Sequence, residues 1–357
     1  MSPGDAHGGR AQVALFATGG TIASAAAGPG GVAPSLTAAD LVAASPVAEV
    51  ADVTARSFLQ VPGAHLSLDD VISLADVVAG AVADGAAGVV VTQGTDTLEE
   101  TAFVLDLLVH APEPVVVTGA LRDPTVAGAD GPANLLAAVA VAASPASRGL
   151  GTLVVVNDEV HAARFVRKSH TSSTGAFTSY PGPIGWVSER RPRIVSRPVG
   201  SLLLPRPDGP SPCVGLVSMS MGDDGRLLAC AARADLDGLV VEALGGGHVP
   251  PGALEPLTEL AGRIPVVLAS STRRGELLRA TYGFAGSETD LAARGVVHGG
   301  WLDARKARLL LALLLGTGAD RERVVSTFAE PYAARAERTL EAGAGSGPGG
   351  AQLDGGE

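Results

Sequence analysis

The chain has 357 residues, 46% of them hydrophobic and 18% charged, with a formal net charge of −11. That length can support two domains and a sizeable core. The negative balance, without a basic stripe, argues against nucleic acid as a partner, and no apolar run reaches the roughly 18 residues that cross a bilayer. Aromatic residues are only 3%, so alanine, valine and leucine must build the core. The two cysteines, Cys213 and Cys230, lie in no CxxC pair and beside no histidine at metal spacing. They read as buried free thiols rather than a disulfide framework. Met1 to Arg10 is polar and glycine-rich, without the charged start and apolar stretch of a secretory signal, so a cytoplasmic protein is expected.

In chain order, residues 1–11 read as a disordered leader. The run Val13-Ala14-Leu15-Phe16-Ala17 predicts a buried strand, and the paired glycines of Thr18-Gly19-Gly20-Thr21 predict a tight turn at its end. Ser24 to Ser35, rich in Ala, Gly and Pro, reads as a mobile loop. Thr37 with Asp40 suggests a capping box, Val47–Leu59 contains a second strand, and Ser67 with Asp69 and Asp70 caps a helix to about Asp84. A third strand, Gly88–Thr92, runs into Gln93-Gly94-Thr95-Asp96-Thr97, and a helix follows over Leu98–Val109 with Glu99 and Glu100 in its first turn. Further strands are expected at Pro114–Gly119 and Gly151–Asn157, with an Ala-rich helix at 133–144 between them.

Five prolines at 198, 205, 207, 210 and 212 mark 197–212 as a linker between an N-terminal domain, 12–196, and a C-terminal domain, 213–335. Beyond it, strands are expected at Val214–Met219, Gly238–Ala243 and Pro265–Ser270. Helices are expected near Leu227–Ala234, Ala253–Ala261, Asp303–Leu315 and Arg321–Phe328. Strands alternating with helices at this spacing give an α/β fold: a larger N-terminal domain with a mostly parallel sheet flanked by helices, and a smaller α/β domain with its own parallel sheet. Residues 336–357 read as a disordered tail.

Ligands of open α/β sheets bind past the carboxyl ends of strands, and two strands here end in Gly-Thr, at Gly20-Thr21 and Gly94-Thr95. Taken alone, Gly20-Thr21 fits either a capped turn or a reactive hydroxyl. Threonine is a weak nucleophile that needs an activating base or lysine. The chain holds two lysines, Lys168 and Lys306. Lys168 fits either a solvated surface charge or an amine that gives up its proton on desolvation, which arginine cannot do. A helix N-terminus beside Thr95 offers backbone N–H groups for a developing oxyanion, so the arrangement suits acyl transfer.

Ala17-Thr18-Gly19-Gly20-Thr21-Ile22-Ala23 and Val91-Thr92-Gln93-Gly94-Thr95-Asp96-Thr97-Leu98-Glu99-Glu100-Thr101-Ala102 resemble the two signature segments of the bacterial L-asparaginase/glutaminase family. Thr118–Arg122, Ala129–Leu135, Tyr282-Gly283-Phe284 and Lys306-Ala307-Arg308 resemble further family blocks in the same order, over about residues 12–335. The resemblance implies an amidohydrolase that converts L-asparagine to L-aspartate and ammonia, with L-glutamine as the alternative substrate. By the same resemblance Thr21 is the nucleophile, and Thr95, Asp96 and Lys168 form a Thr–Lys–Asp set. Asp96 and Thr95 then contact the substrate with Gly63 and Ala64. A homotetramer built as a dimer of dimers is implied, with no metal or organic cofactor.

Three positions depart from the family pattern. The loop at 24–36 lacks the usual tyrosine and has Val32 near its place; the tyrosines are Tyr180, Tyr282 and Tyr332. Gly63, within Val61-Pro62-Gly63-Ala64-His65, stands where a serine usually grips the substrate carboxylate. Gly245-Gly246-Gly247 replaces a polar residue given to the neighbouring subunit's site, with His248 close by. Ser24, Ser35 and His65 are candidate substitutes. A related amidohydrolase for glutamine or a larger amide, and a catalytically inactive protein that binds a small amino acid, are the competing readings. A dinucleotide site is not supported, since no GxGxxG follows a strand.

Overall fold

The computed structural model describes residues 10–26, 31–329 and 332. Most of the expected leader, and the expected tail, lie outside the described residues. The elements, in chain order, are β1 (Gln12–Gly19), β2 (Ser24–Ala26), β3 (Val32–Pro34), α1 (Ala38–Ala43), β4 (Asp52–Val61), α2 (Leu68–Ala83), β5 (Gly88–Thr92), α3 (Leu98–Leu108), β6 (Val115–Thr118), α4 (Gly131–Ala142) and β7 (Thr152–Val156). Five short strands follow: β8 (Glu159–Ala162), β9 (Val166–Lys168), β10 (Phe177–Ser179), β11 (Gly185–Ser188) and β12 (Arg191–Ile194). The remainder comprises β13 (Val214–Ser218), α5 (Arg226–Ala231), β14 (Gly238–Ala243), α6 (Leu254–Arg263), β15 (Val266–Ser270), α7 (Glu288–Ala293), β16 (Val297–His298), α8 (Ala304–Gly316) and α9 (Arg321–Ala329).

An eight-stranded sheet runs β12-β11-β8-β7-β6-β5-β1-β4. The strands from β4 through β7 are parallel, and β8, β11 and β12 extend the β7 edge in antiparallel fashion. The mostly parallel expectation holds for the part that carries the site. The smaller sheet, β13-β14-β15-β16, is parallel throughout.

Continuous apolar strands arise here because both faces of the sheet are covered. Along β5, Val90 enters one core with Leu15 and the α4 residues Leu135, Ala138 and Val139. Its neighbours Val89 and Val91 point the other way, into a core with Phe16, Leu74 of α2 and Leu98, Ala102 and Leu105 of α3. A third core joins the two sheets: α8 residues Leu310, Leu311 and Leu314 pack with Phe103, Val104 and Leu107 of α3 and with Val240 and Val267 of the small sheet. Fully burying each such side chain contributes roughly 1.5–3 kcal/mol. The caps read from the sequence form as capping boxes, Thr37 with Asp40 and Ser67 with Asp70.

Two expectations are corrected. Both cysteines are exposed. Cys213 precedes the small sheet's edge strand, and Cys230 lies on the six-residue α5, which buries only Leu228. The 24–35 segment is not wholly loop, because β2 and β3 pair as an antiparallel hairpin with Ala25 opposite Ala33; residues 27–30 lie outside the description.

β1 connects to β4 on one side of itself, and β4 returns to β5 on the other. The chain therefore leaves the carboxyl ends of β1 and β5 in divergent directions. That is the topological switch point at which an open α/β sheet forms its ligand crevice.

Candidate active site

Three loops meet at this switch point with glycine backbone against glycine backbone. Gly20 has φ +80, and a Cβ there would lie 2.1 Å from Gly94 N. Gly63 is buried, and a Cβ on it would lie 2.9 Å from Gly94 O. Residues other than glycine would force the loops after β1, β4 and β5 apart. The Thr18 hydroxyl donates to Thr92 O at 3.1 Å, tying the last turns of β1 and β5 together. Thr21 and Thr95 each follow one residue beyond the Gly20–Gly94 contact. Thr21 is half-buried, and its hydroxyl makes no hydrogen bond among the described residues.

Thr95, by contrast, is 6% exposed and partnered. Lys168 Nζ donates to Thr95 Oγ1 at 2.9 Å and to Asp96 Oδ1 at 2.8 Å. The Asp96 side chain is 67% exposed, so that ion pair is screened and the carboxylate faces the crevice mouth. The three residues expected to act as a set are thus brought together across about seventy positions of sequence, |i−j| being 73 and 72. Glu99, in the first turn of α3, is buried, and its pKa is raised by desolvation against the opposing charge of Lys306. Glu100 is raised for the same reason, with Arg305 opposing.

Gly63 and Ala64 occupy a short 3-10 turn over Gly63–His65 beside the same junction, Gly63 buried and Ala64 exposed. The turn is fixed by Gln93 and Thr97, to which the sequence alone assigns no role. Gln93 Nε2 donates to Thr97 Oγ1 at 3.0 Å, and Thr97 Oγ1 donates to Gly63 O at 2.8 Å. Their signal was their place inside the Gln93–Thr97 motif. Asp130 and Asn134, from a block noted only for resemblance, serve the neighbouring strand end. Asp130 accepts the N–H groups of Leu121 and Arg122, and Asn134 Nδ2 donates to Gly119 O at 2.9 Å.

The candidate substitutes are placed less directly. The Ser24 hydroxyl donates to Gly20 O at 2.9 Å and so shapes the turn. Ser35 and His65 are exposed. His248 bonds Glu288 Oε2 through Nε2 at 3.2 Å and packs against the rings of Tyr282 and Phe284, all within the C-terminal part. Tyr180 lines a cavity of about 400 Å³ with Arg167, Arg273 and Trp301. Neither Thr21, Thr95, Asp96 nor Lys168 lines that cavity. The strand-end crevice, where the titratable set converges, is therefore the candidate site despite the cavity's size.

With this geometry established, likeness to known proteins becomes informative. The N-terminal asparaginase profile matches residues 12–200, and the glutaminase/asparaginase C-terminal domain profile matches 213–328. The chain belongs to the asparaginase family. It is 35% identical over 314 residues to an L-asparaginase of Bacillus licheniformis, covering 86% of this chain and 96% of the relative. It is 39% identical over 332 residues to a probable L-asparaginase of Deinococcus radiodurans, covering 89% and 97%. The crystal structure of a probable cytoplasmic L-asparaginase from Campylobacter jejuni superposes with a TM-score of 0.79 at 27% identity, covering 90% of this chain and 99% of that one.

Proposed function

We propose that the protein is an L-asparaginase that hydrolyses L-asparagine to L-aspartate and ammonia, with Thr21 as nucleophile and Thr95, Lys168 and Asp96 as the proton-handling set. The observation that carries this reading is Lys168 Nζ, hydrogen-bonded at once to Thr95 and Asp96 in a chain with only two lysines. In the neutral form Lys168 takes a proton from Thr95, whose oxygen then draws one from the attacking group. The Thr21 oxygen adds to the amide carbon and a backbone N–H holds the oxyanion of the tetrahedral adduct; the proton taken up by Lys168 returns to the amide nitrogen, the C–N bond breaks, and ammonia leaves with a threonyl ester remaining. Water, activated by the same set, hydrolyses the ester and frees Thr21. Asp96, exposed at the mouth, suits an α-ammonium group. Gly63 and Ala64 offer main-chain N–H groups to the α-carboxylate.

The family's tetrameric assembly and a cytoplasmic location belong to the same proposal, as does the division into 12–196 and 213–335 across the 197–212 linker. Ammonia release from L-asparagine, L-glutamine and a panel of amidated dipeptides at high concentration tests it. Release from L-asparagine at the highest kcat/KM is expected. A higher value on L-glutamine or a larger amide would move the assignment to the second reading, which the missing hydroxyl at Gly63 favours. Aspartate binding without ammonia release from any amide would reject turnover altogether.

A further inference from the structure

We propose that Glu99 and Lys306 form a two-point clamp on β9 and are positioning residues for Lys168, an inference that rests on the reading of Lys168 as part of the catalytic set. β9 spans three residues and pairs only with β10, in a two-stranded ribbon that is marginal by itself. Ser169 N–H donates to Ala176 O toward β10, so by alternation Val166 and Lys168 present their backbone groups to the opposite edge. Among the described residues no strand occupies that edge. Glu99 accepts the Lys168 backbone N–H there, and Lys306 Nζ donates to Val166 O. Two side chains stand in for the missing strand.

The two groups are 5% and 2% exposed, respectively, so their charges are held out of water for a reason. Each directs its charge at a main-chain group of the same short strand, and hydrogen bonds of that kind are stronger than neutral ones. Glu99 lies three residues beyond Asp96 on the rigid start of α3. One helix terminus therefore sets both the partners of Lys168 Nζ and the height of its backbone. Lys306 belongs to α8, whose core contacts reach the small sheet, so the second point ties the Lys168 strand to the C-terminal part of the chain. Asp303 Oδ2, 3.6 Å from Lys306 Nζ, holds the ammonium at that angle.

The test measures kcat and KM for ammonia release from L-asparagine, with thermal unfolding, for Glu99→Ala, Glu99→Gln, Lys306→Met and Lys168→Met in the full-length chain. Displacing a catalytic amine by about 1 Å lowers turnover by up to roughly 100-fold. Glu99→Ala and Lys306→Met are expected to lose kcat by roughly 10- to 100-fold with KM within about two-fold. Glu99→Gln, whose amide oxygen accepts the same N–H, is expected to recover most of kcat. The Gln and Met variants preserve side-chain volume and carry the test if the alanine variant does not fold. Wild-type kcat in Glu99→Ala or Lys306→Met, or Glu99→Gln as impaired as Glu99→Ala, overturns the clamp while leaving the catalytic set intact. Wild-type kcat in Lys168→Met overturns the underlying reading instead.

Discussion

Replacing Lys168 with methionine separates proton handling from packing. Methionine keeps most of the aliphatic stem and removes the ammonium that bonds Thr95 at 2.9 Å and Asp96 at 2.8 Å. Asp96 is largely exposed, so its carboxylate returns to water and the ion pair contributes little to folding. Thr95 is 6% exposed and loses the donor to its hydroxyl oxygen. An unsatisfied buried polar group costs about 1–3 kcal/mol, and the Thr95 hydroxyl keeps freedom to rotate, so the low end applies. For a chain of 357 residues about 1 kcal/mol lowers Tm by roughly 1–2 °C. Removing a positioned acid–base group instead lowers turnover by about 10²–10⁴-fold. The expected variant is therefore folded, slightly less stable and nearly inactive in ammonia release. Near-normal kcat, or a loss of activity that only tracks a collapse of the unfolding transition, would refute the assignment of Lys168 to chemistry.

Other substitutions address the remaining parts. Thr21→Ala and Thr95→Val each abolish ammonia release while leaving the thermal transition within a few degrees of wild type; substantial activity in either would end the two-threonine mechanism. Gly63→Ser places a Cβ 2.9 Å from Gly94 O. It is expected to raise KM rather than lower it, so tighter substrate binding in this variant would contradict the packing described for the glycine junction. His161 is fully buried, with Nδ1 bonded to Ser179 Oγ at 2.9 Å, and burial pushes its pKa down from 6.5 to about 4. The unfolded chain then binds a proton below pH 6.5 that the folded chain refuses until about pH 4. This contribution to stability is full above pH 6.5 and is lost as pH falls through that window, by at most about 3 kcal/mol. Urea unfolding at pH 7 and pH 4.5 should show a smaller difference in His161→Asn than in wild type; equal differences would reject the linkage.

The centre of the fold was legible because parallel strands buried on both faces appear as unbroken apolar runs. Val13–Ala17, Gly88–Thr92 and Val115–Thr118 could be read directly, and their glycine-rich ends located the crevice. Residues 159–194 were not legible for the opposite reason. Strands such as Val166-Arg167-Lys168 and Arg191–Ile194 are three or four residues long and carry charges. They are held by partners far away in the chain, as Lys168 N–H is by Glu99 and Val166 O is by Lys306, at separations of 69 and 140 residues. Such partners leave no periodicity to detect. Resemblance indicated that Lys168 belongs with Thr95 and Asp96, but only the folded chain explains how a three-residue strand holds it there. The exposed cysteines show the limit of residue-type averages on the periphery of a small sheet, where a short helix fully buries one leucine and leaves Cys230 to solvent.

The contact of Gly20, Gly63 and Gly94 has a consequence for how this scaffold can change. At Gly20, Gly63 and Gly94 the loops meet main chain to main chain. The exposed side chains of the Gly63–His65 turn, Ala64 and His65, can then be exchanged without altering that junction. A library confined to positions 64 and 65 would leave the glycine junction intact, whereas one that included 20, 63 or 94 would force the loops apart.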